Sequence, residues 1–165
     1  MNCKPVYTDE FINKVLEEYS NMVYRLALSQ TKNTADAQDV YQEVFLRLIS
    51  TNTTFESDEH LKAWLIKVTV NCSHKLFSTA WFRHTVPLEE DIPFETKENS
   101  EIYYAVLNLP LKYRTVIHLY YYEGYTLEEI AKILSKNPAT VRSQLARARN
   151  LLKGKVEGDN YAEQL

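Results

Sequence analysis

Residues 126–152 read TLEEIAKILSKNPATVRSQLARARNLL, a stretch in which two helical patterns are separated by a short polar turn. Thr126 and Glu129 form a capping box, in which each side chain bonds a backbone N–H that the first turn of a helix leaves unpaired. A buried stripe at helical spacing follows, made of Leu127, Ile130, Ala131 and Leu134. The first half of the stretch therefore predicts a short amphipathic helix whose N-cap is Thr126.

The second half of the stretch begins with signals for a turn and a new helix. Ser135 and Lys136 predict a short turn, Asn137 is a favourable N-cap, and Pro138 stands at the first helical position, where its missing N–H costs nothing. The inward stripe of this helix would be Val141, Leu145, Ala148 and Leu152. Two short helices joined by a three-residue turn are typical of a helix-turn-helix, whose second helix lies in the major groove of DNA.

The surface that this second helix leaves facing outward is basic. Its candidate DNA contacts are Lys136, Ala139, Thr140, Arg142, Ser143, Arg147 and Arg149. Arg142, near the helix start, could reach base edges or phosphates, whereas Arg147 and Arg149 are better placed for phosphates. The alternative is a face that is merely solvated. The lack of any carboxylate between residues 130 and 156 argues against it, because a solvated helix commonly mixes charges to gain i,i+4 pairs.

Charge is segregated along the chain, although the formal net charge is only -3. Residues 61–84 contain four basic side chains and no carboxylate, and residues 130–156 contain seven basic side chains and no carboxylate. Residues 1–59 carry five basic and ten acidic side chains, and residues 89–101 carry six acids against one lysine. Two basic surfaces beside acidic ones suit two kinds of partner, a nucleic acid and another protein.

The composition predicts a helical, globular, cytoplasmic protein. The 165 residues are 45% hydrophobic and 25% charged, and three glycines leave little material for a turn-rich β design. No stretch approaches the roughly 18 apolar residues of a membrane span, and no signal core opens the chain, so we expect no membrane insertion. Cys3 and Cys72 are too few for a disulfide framework, and no metal-ligand spacing occurs. We expect free thiols and no metal or other cofactor.

Hydrophobic periodicity predicts four helical stretches in the first half of the chain. One helix follows Thr8 as its N-cap, a second begins near Thr34, and a third opens near Ser57 and runs towards Leu76. A short aromatic and basic piece at residues 81–84 extends this module. Together these stretches predict one small helical module.

A second module begins near Ser100. Its first helix is interrupted at Leu109–Pro110, another runs from Lys112 to Tyr122, and Gly124 predicts the stop of that helix. Between the modules lies an acidic segment with two prolines, residues 85–99. The predicted fold class is all-α: two small helical modules joined by an acidic flexible linker, with the helix-turn-helix in the C-terminal module.

The second helix of the first module, DAQDVYQEVFLRLI at residues 36–49, has two faces with separate helical spacing. The core stripe passes through Ala37, Val40, Tyr41, Val44 and Leu48. The other face carries Asp39, Gln42, Glu43 and Leu46, with Phe45 and Arg47 beside it. Acids, an amide and exposed apolar groups together predict a docking surface for a basic partner helix. An ordinary amphipathic helix with a ragged boundary is the alternative.

Three collinear segments resemble the extracytoplasmic-function (ECF) sigma factors, a compact group in the main bacterial sigma family. DAQDVYQEVFLRLI is similar to the D-A-x-D-x-x-Q-E-x-F-L-R motif of region two, and HLKAWLIKVTVN at residues 60–71 is similar to its F-x-x-W-L-x-x-I-A-x-N segment. LPLKYRTVIHLYYYEGYTLEEIAKIL, followed by NPATVRSQLARARNLL, looks like region four. The similarity covers about residues 8–84 and 100–155.

The resemblance implies a protein that docks on core RNA polymerase and starts transcription at particular promoters. It implies that six residues lie on or beside the face that binds the clamp helices of the largest polymerase subunit, namely Asp39, Gln42, Glu43, Phe45, Leu46 and Arg47. For the opened minus-ten DNA it implies Phe55, Ser57, Lys67, Asn71, His74, Lys75, Trp81 and Arg83. The loop that starts at Phe55 would, with Asn71, take a flipped base. Region four would rest on the polymerase flap and read the minus-thirty-five duplex through the outward residues of its second helix.

The predicted organisation is region two at residues 7–84, a linker at 85–99, region four at 100–156 and a tail at 157–165. An anti-sigma factor is a further partner that the resemblance implies. The alternative function is a helix-turn-helix regulator that binds duplex DNA without joining polymerase, because region four alone would look the same. An enzyme is not expected, because no nucleophile, base and orienting group occur together at recognisable spacing.

Overall fold

The computed structural model describes residues 7–79 and 97–158, which belong to two compact units divided between Glu89 and Glu90. The described residues form seven α-helices and one π-helical turn, with no β-strand among them. The prediction of an all-α fold is therefore confirmed. Trp81 and Arg83, the short piece at residues 81–84, and most of the predicted linker and tail lie outside the described residues.

The first unit is a bundle of three helices, α1 (Asp9–Thr31), α2 (Thr34–Ser50) and α3 (Asp58–Thr79). Each of the three contacts the other two, so they enclose one core. The fully buried side chains of this core include Val23, Leu26, Val44, Leu48 and Leu65. This packing leaves one face of each helix directed away from the core.

Side-chain caps explain where α1 and α2 begin. The Thr8 hydroxyl accepts a hydrogen bond from the Phe11 N–H at 3.2 Å, which confirms the predicted N-cap. The Asn33 side chain accepts from the Asp36 N–H at 2.9 Å and starts α2 at Thr34, as predicted. Between the two helices, Lys32 takes a left-handed conformation with φ of 59° and donates its N–H to Leu28. The connection is therefore a tight turn.

The second unit contains α4 (Lys97–Leu107), α5 (Leu111–Ile117), a π-helical turn (His118–Tyr122), α6 (Leu127–Leu134) and α7 (Pro138–Gly158). The first of these begins three residues before the predicted start, inside the predicted linker, and α7 continues two residues beyond the predicted end of the module. The long last helix contacts α4, α5 and α6. The apolar stripe of α7 is therefore the common packing surface of this unit.

The segment predicted as one helix from Lys112 to Tyr122 changes type partway. After Ile117 the chain widens into the π-helical turn, in which the Glu123 N–H donates to the His118 carbonyl at 3.2 Å. His118 and Leu119 are buried, whereas Tyr121 and Tyr122 are 56% and 51% exposed. Gly124 has φ of 72° and ends the segment, as predicted.

The helix-turn-helix forms with the predicted caps. The Thr126 N–H donates to the Glu129 carboxylate at 2.8 Å, and the Glu129 N–H donates to the Thr126 hydroxyl at 3.2 Å, which confirms the capping box. Ser135 ends α6 in a left-handed conformation with φ of 55°. The Asn137 side chain then accepts from the Ala139 N–H at 2.9 Å at the start of α7.

The inward faces of the two helices differ in how closely they follow the sequence pattern. In α7, Val141, Leu145 and Ala148 are buried as predicted, and Leu152 is half-buried. The predicted stripe of α6 left out Ile133, which is buried. Of its predicted members, Ile130 and Ala131 are buried, and Leu127 and Leu134 are half-buried. Since α6 packs against both α7 and the π-helical turn, its apolar face is wider than one stripe.

The buried side chain of Arg114 hydrogen-bonds the backbone where α4 ends and α5 begins. Arg114 is 4% exposed, and its Nη1 donates to the carbonyl oxygens of Leu107 at 3.0 Å and Leu109 at 2.8 Å. These carbonyls lie where the helix is interrupted before Pro110, so they have no helical donor to bond. Burial lowers the pKa of Arg114 to about 10, which leaves the side chain charged at neutral pH.

We expect Arg114→Met to lower the free energy of unfolding by about 3 kcal/mol, because two buried carbonyls lose a charged donor. Urea unfolding followed by far-ultraviolet circular dichroism measures the change. Lys132→Met, at an exposed position of α6, is the matched control and should stay within about 0.5 kcal/mol of the parent protein. Equal losses for the two variants would contradict this role for Arg114.

Candidate protein and nucleic-acid interfaces

The outward face of α2 presents an apolar centre with polar neighbours. Leu46 is 61% exposed and Ile49 is 57% exposed, three residues apart and therefore on the same side of the helix. Asp39 and Gln42 are exposed, and Glu43 is half-buried. Sequence analysis missed Ile49, although its spacing from Leu46 continues the pattern of that face.

Phe45 does not belong to this exposed face. It is 7% exposed, and its ring centroid lies 4.8 Å from that of Tyr41, which in turn meets Tyr24 of α1 at 6.4 Å. The prediction of Phe45 as a surface contact is therefore wrong. The reason is that α2 packs against both α1 and α3, so its buried arc is wider than a single stripe.

Charged residues surround an open pocket between α2 and α3. Arg47 Nε lies 2.9 Å from Glu43 Oε1 in an i,i+4 ion pair, and this hydrogen bond raises the pKa of Arg47. The pocket is lined by Asp39, Val40, Glu43, Arg47, Cys72, Lys75 and Leu76. Lys75, predicted for DNA, thus shares a pocket with three residues predicted for protein docking. Cys72 is a free thiol, and burial raises its pKa.

The exposed face of α3 carries the remaining described residues predicted for minus-ten DNA. Lys67, Asn71, His74 and Lys75 are all exposed, and their spacing places them along one side of the helix. Ser57 directly precedes α3, so Asn71 lies about 20 Å from it at a rise of 1.5 Å per residue. Lys67, Asn71, His74 and Lys75 therefore form a strip along α3.

The outward face of α7 and its preceding turn agrees with the sequence pattern. All seven predicted residues are exposed, namely Lys136, Ala139, Thr140, Arg142, Ser143, Arg147 and Arg149. Arg149 is held in place, because its Nε donates to the Tyr121 hydroxyl at 2.7 Å and its guanidinium lies 5.4 Å from the ring centroid of Tyr120. The hydrogen bond to Tyr121 raises the pKa of Arg149. Two tyrosines of the π-helical turn therefore orient the guanidinium group of Arg149.

Arg147 lies beside a different tyrosine. Its interaction with the Tyr113 hydroxyl lowers the pKa of Tyr113. Lys112 Nζ lies 5.0 Å from the centroid of the same ring. Partial burial lowers the pKa of Lys136, and the charge of Lys112 lowers it further. Lys112 of α5 thus joins the basic surface of α7, a placement that sequence analysis missed because Lys112 lies outside the helix-turn-helix.

Two searches of the described residues bear on other classes of site. No group of three or more His, Cys, Asp or Glu side chains in residues 7–79 and 97–158 is arranged to hold a metal ion. Among the helices of these same ranges, none combines the length and the apolar character that crossing a membrane requires.

Comparison with known proteins identifies both units. The family model for sigma-70 region 2 matches residues 15–83, and the model for sigma-70 region 4 matches residues 99–152. The RNA polymerase sigma factor SigV of Bacillus subtilis is 32% identical over 144 residues, which cover 84% of this chain and 86% of SigV. The ECF RNA polymerase sigma-E factor of Haemophilus influenzae is 29% identical over 168 residues, covering 88% and 87% of the two chains.

Solved structures give the same architecture. The sigma factor RpoE, solved with the anti-sigma factor NepR from Bartonella quintana, matches with a TM-score of 0.73 and 22% identity over 91% of this chain and 98% of RpoE. CnrH, solved with the cytosolic domain of CnrY, matches with a TM-score of 0.69 and 20% identity over 92% and 91% of the chains. These likenesses support the all-helical fold.

An all-helical chain with a region 2 bundle and a region 4 helix-turn-helix is an RNA polymerase sigma factor, and it acts in transcription initiation. Within that class, the chain belongs to the extracytoplasmic-function type of the sigma-70 family. The predicted family and function are confirmed. The alternative of a regulator that never joins polymerase would account for region 4 and leave the region 2 match unexplained.

The placement of Phe45 can be tested against its neighbour Leu46. We expect Phe45→Ala to lower the free energy of unfolding by about 3 kcal/mol or more, because it empties a buried aromatic site. Leu46→Ala should change it by no more than about 0.5 kcal/mol, because its side chain already faces solvent. Urea unfolding monitored by tryptophan fluorescence, to which Trp64 of the same unit contributes, measures both. Similar values for the two variants would contradict the assignment of Phe45 to the core.

Proposed function

We propose that this sigma factor directs promoter-specific initiation through three separate surfaces. The outward face of α2 docks on core polymerase, the exposed face of α3 takes opened minus-ten DNA, and α7 reads the minus-thirty-five duplex. The observation that carries the proposal is that the predicted residues of all three surfaces are accessible where they are described, with Phe45 as the one buried exception.

The α2 face has the layout of a protein interface. Leu46 and Ile49 expose large apolar side chains next to each other, which is favourable only when a partner covers them. Asp39, Gln42 and Glu43 supply a polar and acidic rim around this centre. An acidic rim favours a basic partner helix, in keeping with the clamp helices of the largest polymerase subunit that the resemblance implies.

The α3 face suits opened DNA better than duplex. Lys67, His74 and Lys75 follow the helix on the same side as Asn71, an amide able to hydrogen-bond a base edge. A basic strip that also carries base-directed groups can bind unpaired bases. Taking a base out of the stack costs a few kcal/mol, and its capture on this strip offsets that cost without ATP.

The arginines of the α7 face divide into two kinds. Arg149 is bonded to Tyr121, and Arg147 lies beside the Tyr113 hydroxyl. Arg142 is exposed near the start of α7. The N-terminal residues of a recognition helix contact base edges, whereas cations further along it are better placed for phosphates. We therefore assign base reading to Arg142.

An anti-sigma factor is a further partner that we propose, supported by the structural neighbour RpoE, which was solved in complex with NepR. The exposed apolar pair on α2 would be covered in such a complex, which would withhold it from polymerase. We expect the protein to act in the bacterial cytoplasm, where polymerase and promoter DNA are found.

Run-off transcription with bacterial core polymerase tests the proposal directly. The chain with core polymerase should give transcripts from specific start sites. The double variant Gln42→Ala/Glu43→Ala should bind core polymerase about tenfold more weakly, because the polar rim of the docking face is lost. Co-elution titrated with core measures the affinity. Glu17→Ala, at an exposed position of α1, is the control. Failure of the parent chain to bind core at low salt would overturn the proposal, whereas a loss of folding in the pair would assign both residues a structural role.

The division among the arginines predicts different responses to sequence and to salt. Arg142→Ala should lose about 1–3 kcal/mol of discrimination between promoter and unrelated duplex, because one base contact disappears. Arg149→Ala should weaken both duplexes alike and reduce the slope of log affinity against log salt by about 1, because one phosphate contact disappears. Fluorescence anisotropy of the full chain on the two duplexes measures both effects. Equal effects of the two substitutions on discrimination would contradict the division.

A further inference from the structure

The loop between α2 and α3, residues 51–57, is held by an aromatic cluster that includes a residue from before α1. The Phe55 ring stacks on the Tyr7 ring with centroids 5.9 Å apart. The edges of His60 and Trp64 meet Phe55 at 5.5 Å and 5.4 Å. Tyr7 also stacks on Phe11 of α1 at 4.6 Å. The loop is therefore connected through one ring to both α1 and α3.

Phe55 makes ring contacts with three neighbours, Tyr7, His60 and Trp64. One face of its ring is stacked on Tyr7, its other ring contacts come from α3, and the side chain is half-buried. Offset stacking and edge contacts each stabilise an aromatic pair by about 0.5–1.5 kcal/mol beyond the area they bury. A base that stacked on the side of the ring that Tyr7 covers would have to displace Tyr7. Phe55 is therefore an anchor of the loop.

Tyr7 adds a polar contact to the same loop. Its hydroxyl donates to the backbone carbonyl of Thr53, and burial raises the pKa of the Tyr7 phenol, so the donor proton stays in place at neutral pH. Thr53 lies 46 residues along the chain from Tyr7. Tyr7 also precedes residue 15, where the match to sigma-70 region 2 begins. The segment before α1 therefore fixes part of region 2 from outside the matched stretch.

Local hydrogen bonds complete the conformation of the loop. The Thr53 N–H donates to the Thr51 hydroxyl at 3.2 Å, the Glu56 N–H donates to His60 Nδ1 at 3.2 Å, and the His60 N–H donates to the Ser57 hydroxyl at 3.1 Å. Asn52, Thr54, Glu56 and Ser57 remain exposed. These exposed residues are the part of the loop that can meet a nucleotide.

We propose that Tyr7 is a positioning residue that sets base selection at the minus-ten element by fixing the loop 51–57 through Phe55 and Thr53, without contacting the base itself. The inference rests on the proposed binding of minus-ten DNA by the first unit and on the part in it that the resemblance to ECF sigma factors implies for this loop. A loop held within a narrow range of positions discriminates between bases, because a mobile loop adapts to the wrong base at little cost. Tyr7 therefore controls selectivity and leaves the binding of core polymerase unchanged.

Three variants of the full chain test the proposal. Tyr7→Phe removes only the hydrogen bond to Thr53, Tyr7→Ala also removes the stacked ring, and Tyr24→Ala removes a half-buried tyrosine that packs on Tyr41 instead of the loop. Each is combined with core polymerase and a promoter library randomised at both elements, and the run-off transcripts are sequenced. Tyr7→Ala should reduce selectivity at one or two adjacent minus-ten positions at least about fivefold, the lower end for one base contact. Tyr7→Phe should show a smaller loss at the same positions, and Tyr24→Ala none there.

The outcomes separate this inference from the function on which it rests. If the parent chain with core selects no promoters, the proposed function fails. If the parent selects and Tyr7→Ala gives the same profile, or a uniform loss at every position of both elements, Tyr7 does not set base selection. If Tyr7→Ala is unfolded at the assay temperature, Tyr7→Phe becomes the test of the proposal. An unchanged minus-ten profile for Tyr7→Phe would then overturn the proposal.

Discussion

The first unit of this protein has one small core, so α2 and α3 can bury only part of their surface. A domain of fewer than about 100 residues covers only about 60–70% of the surface that its unfolded chain exposes. In the first unit the inward sides of α1, α2 and α3 meet at residues such as Val23, Val44 and Leu65. The outward sides of α2 and α3 are thereby left for partners, and their chemistry differs, acidic and apolar on one helix and basic on the other.

Tyrosines organise the basic surface of the second unit. Arg147 and Arg149 lie two residues apart on α7, and each lies beside a tyrosine from a different segment, Tyr113 of α5 and Tyr121 of the π-helical turn. Because tyrosine is neutral at physiological pH, these contacts orient the guanidinium groups without cancelling their charge. A carboxylate in the same place would have neutralised the surface. The second unit therefore keeps its attraction for phosphates while the tyrosines restrict the orientation of the arginine side chains.

In the first unit, the pocket between α2 and α3 connects two proposed interfaces. Glu43 and Arg47 belong to the docking helix and Lys75 to the basic strip, and all three line the same pocket. A polymerase helix bound at α2 would therefore alter the surroundings of Lys75. This gives the docking of polymerase and the binding of minus-ten DNA a short physical connection within one unit.

Periodicity and cap chemistry in the sequence determined most of the fold. Thr8, the capping box of Thr126 and Glu129, Asn137 and Gly124 act within a few residues of themselves, so their roles could be predicted without a tertiary structure. The outward basic residues of α7 followed from the same short-range reasoning. The family was also identified from the sequence, because the motifs of regions two and four are contiguous.

Only the tertiary structure decided which side chains are shared between elements. Phe45 is buried because α2 packs on two helices, Ile133 because α6 packs on α7 and on the π-helical turn. Lys112 joins the α7 surface through Tyr113, and Tyr7 reaches a loop 46 residues away. Periodicity along one helix shows that a face is apolar, and the width of the buried arc depends on how many neighbours pack against it.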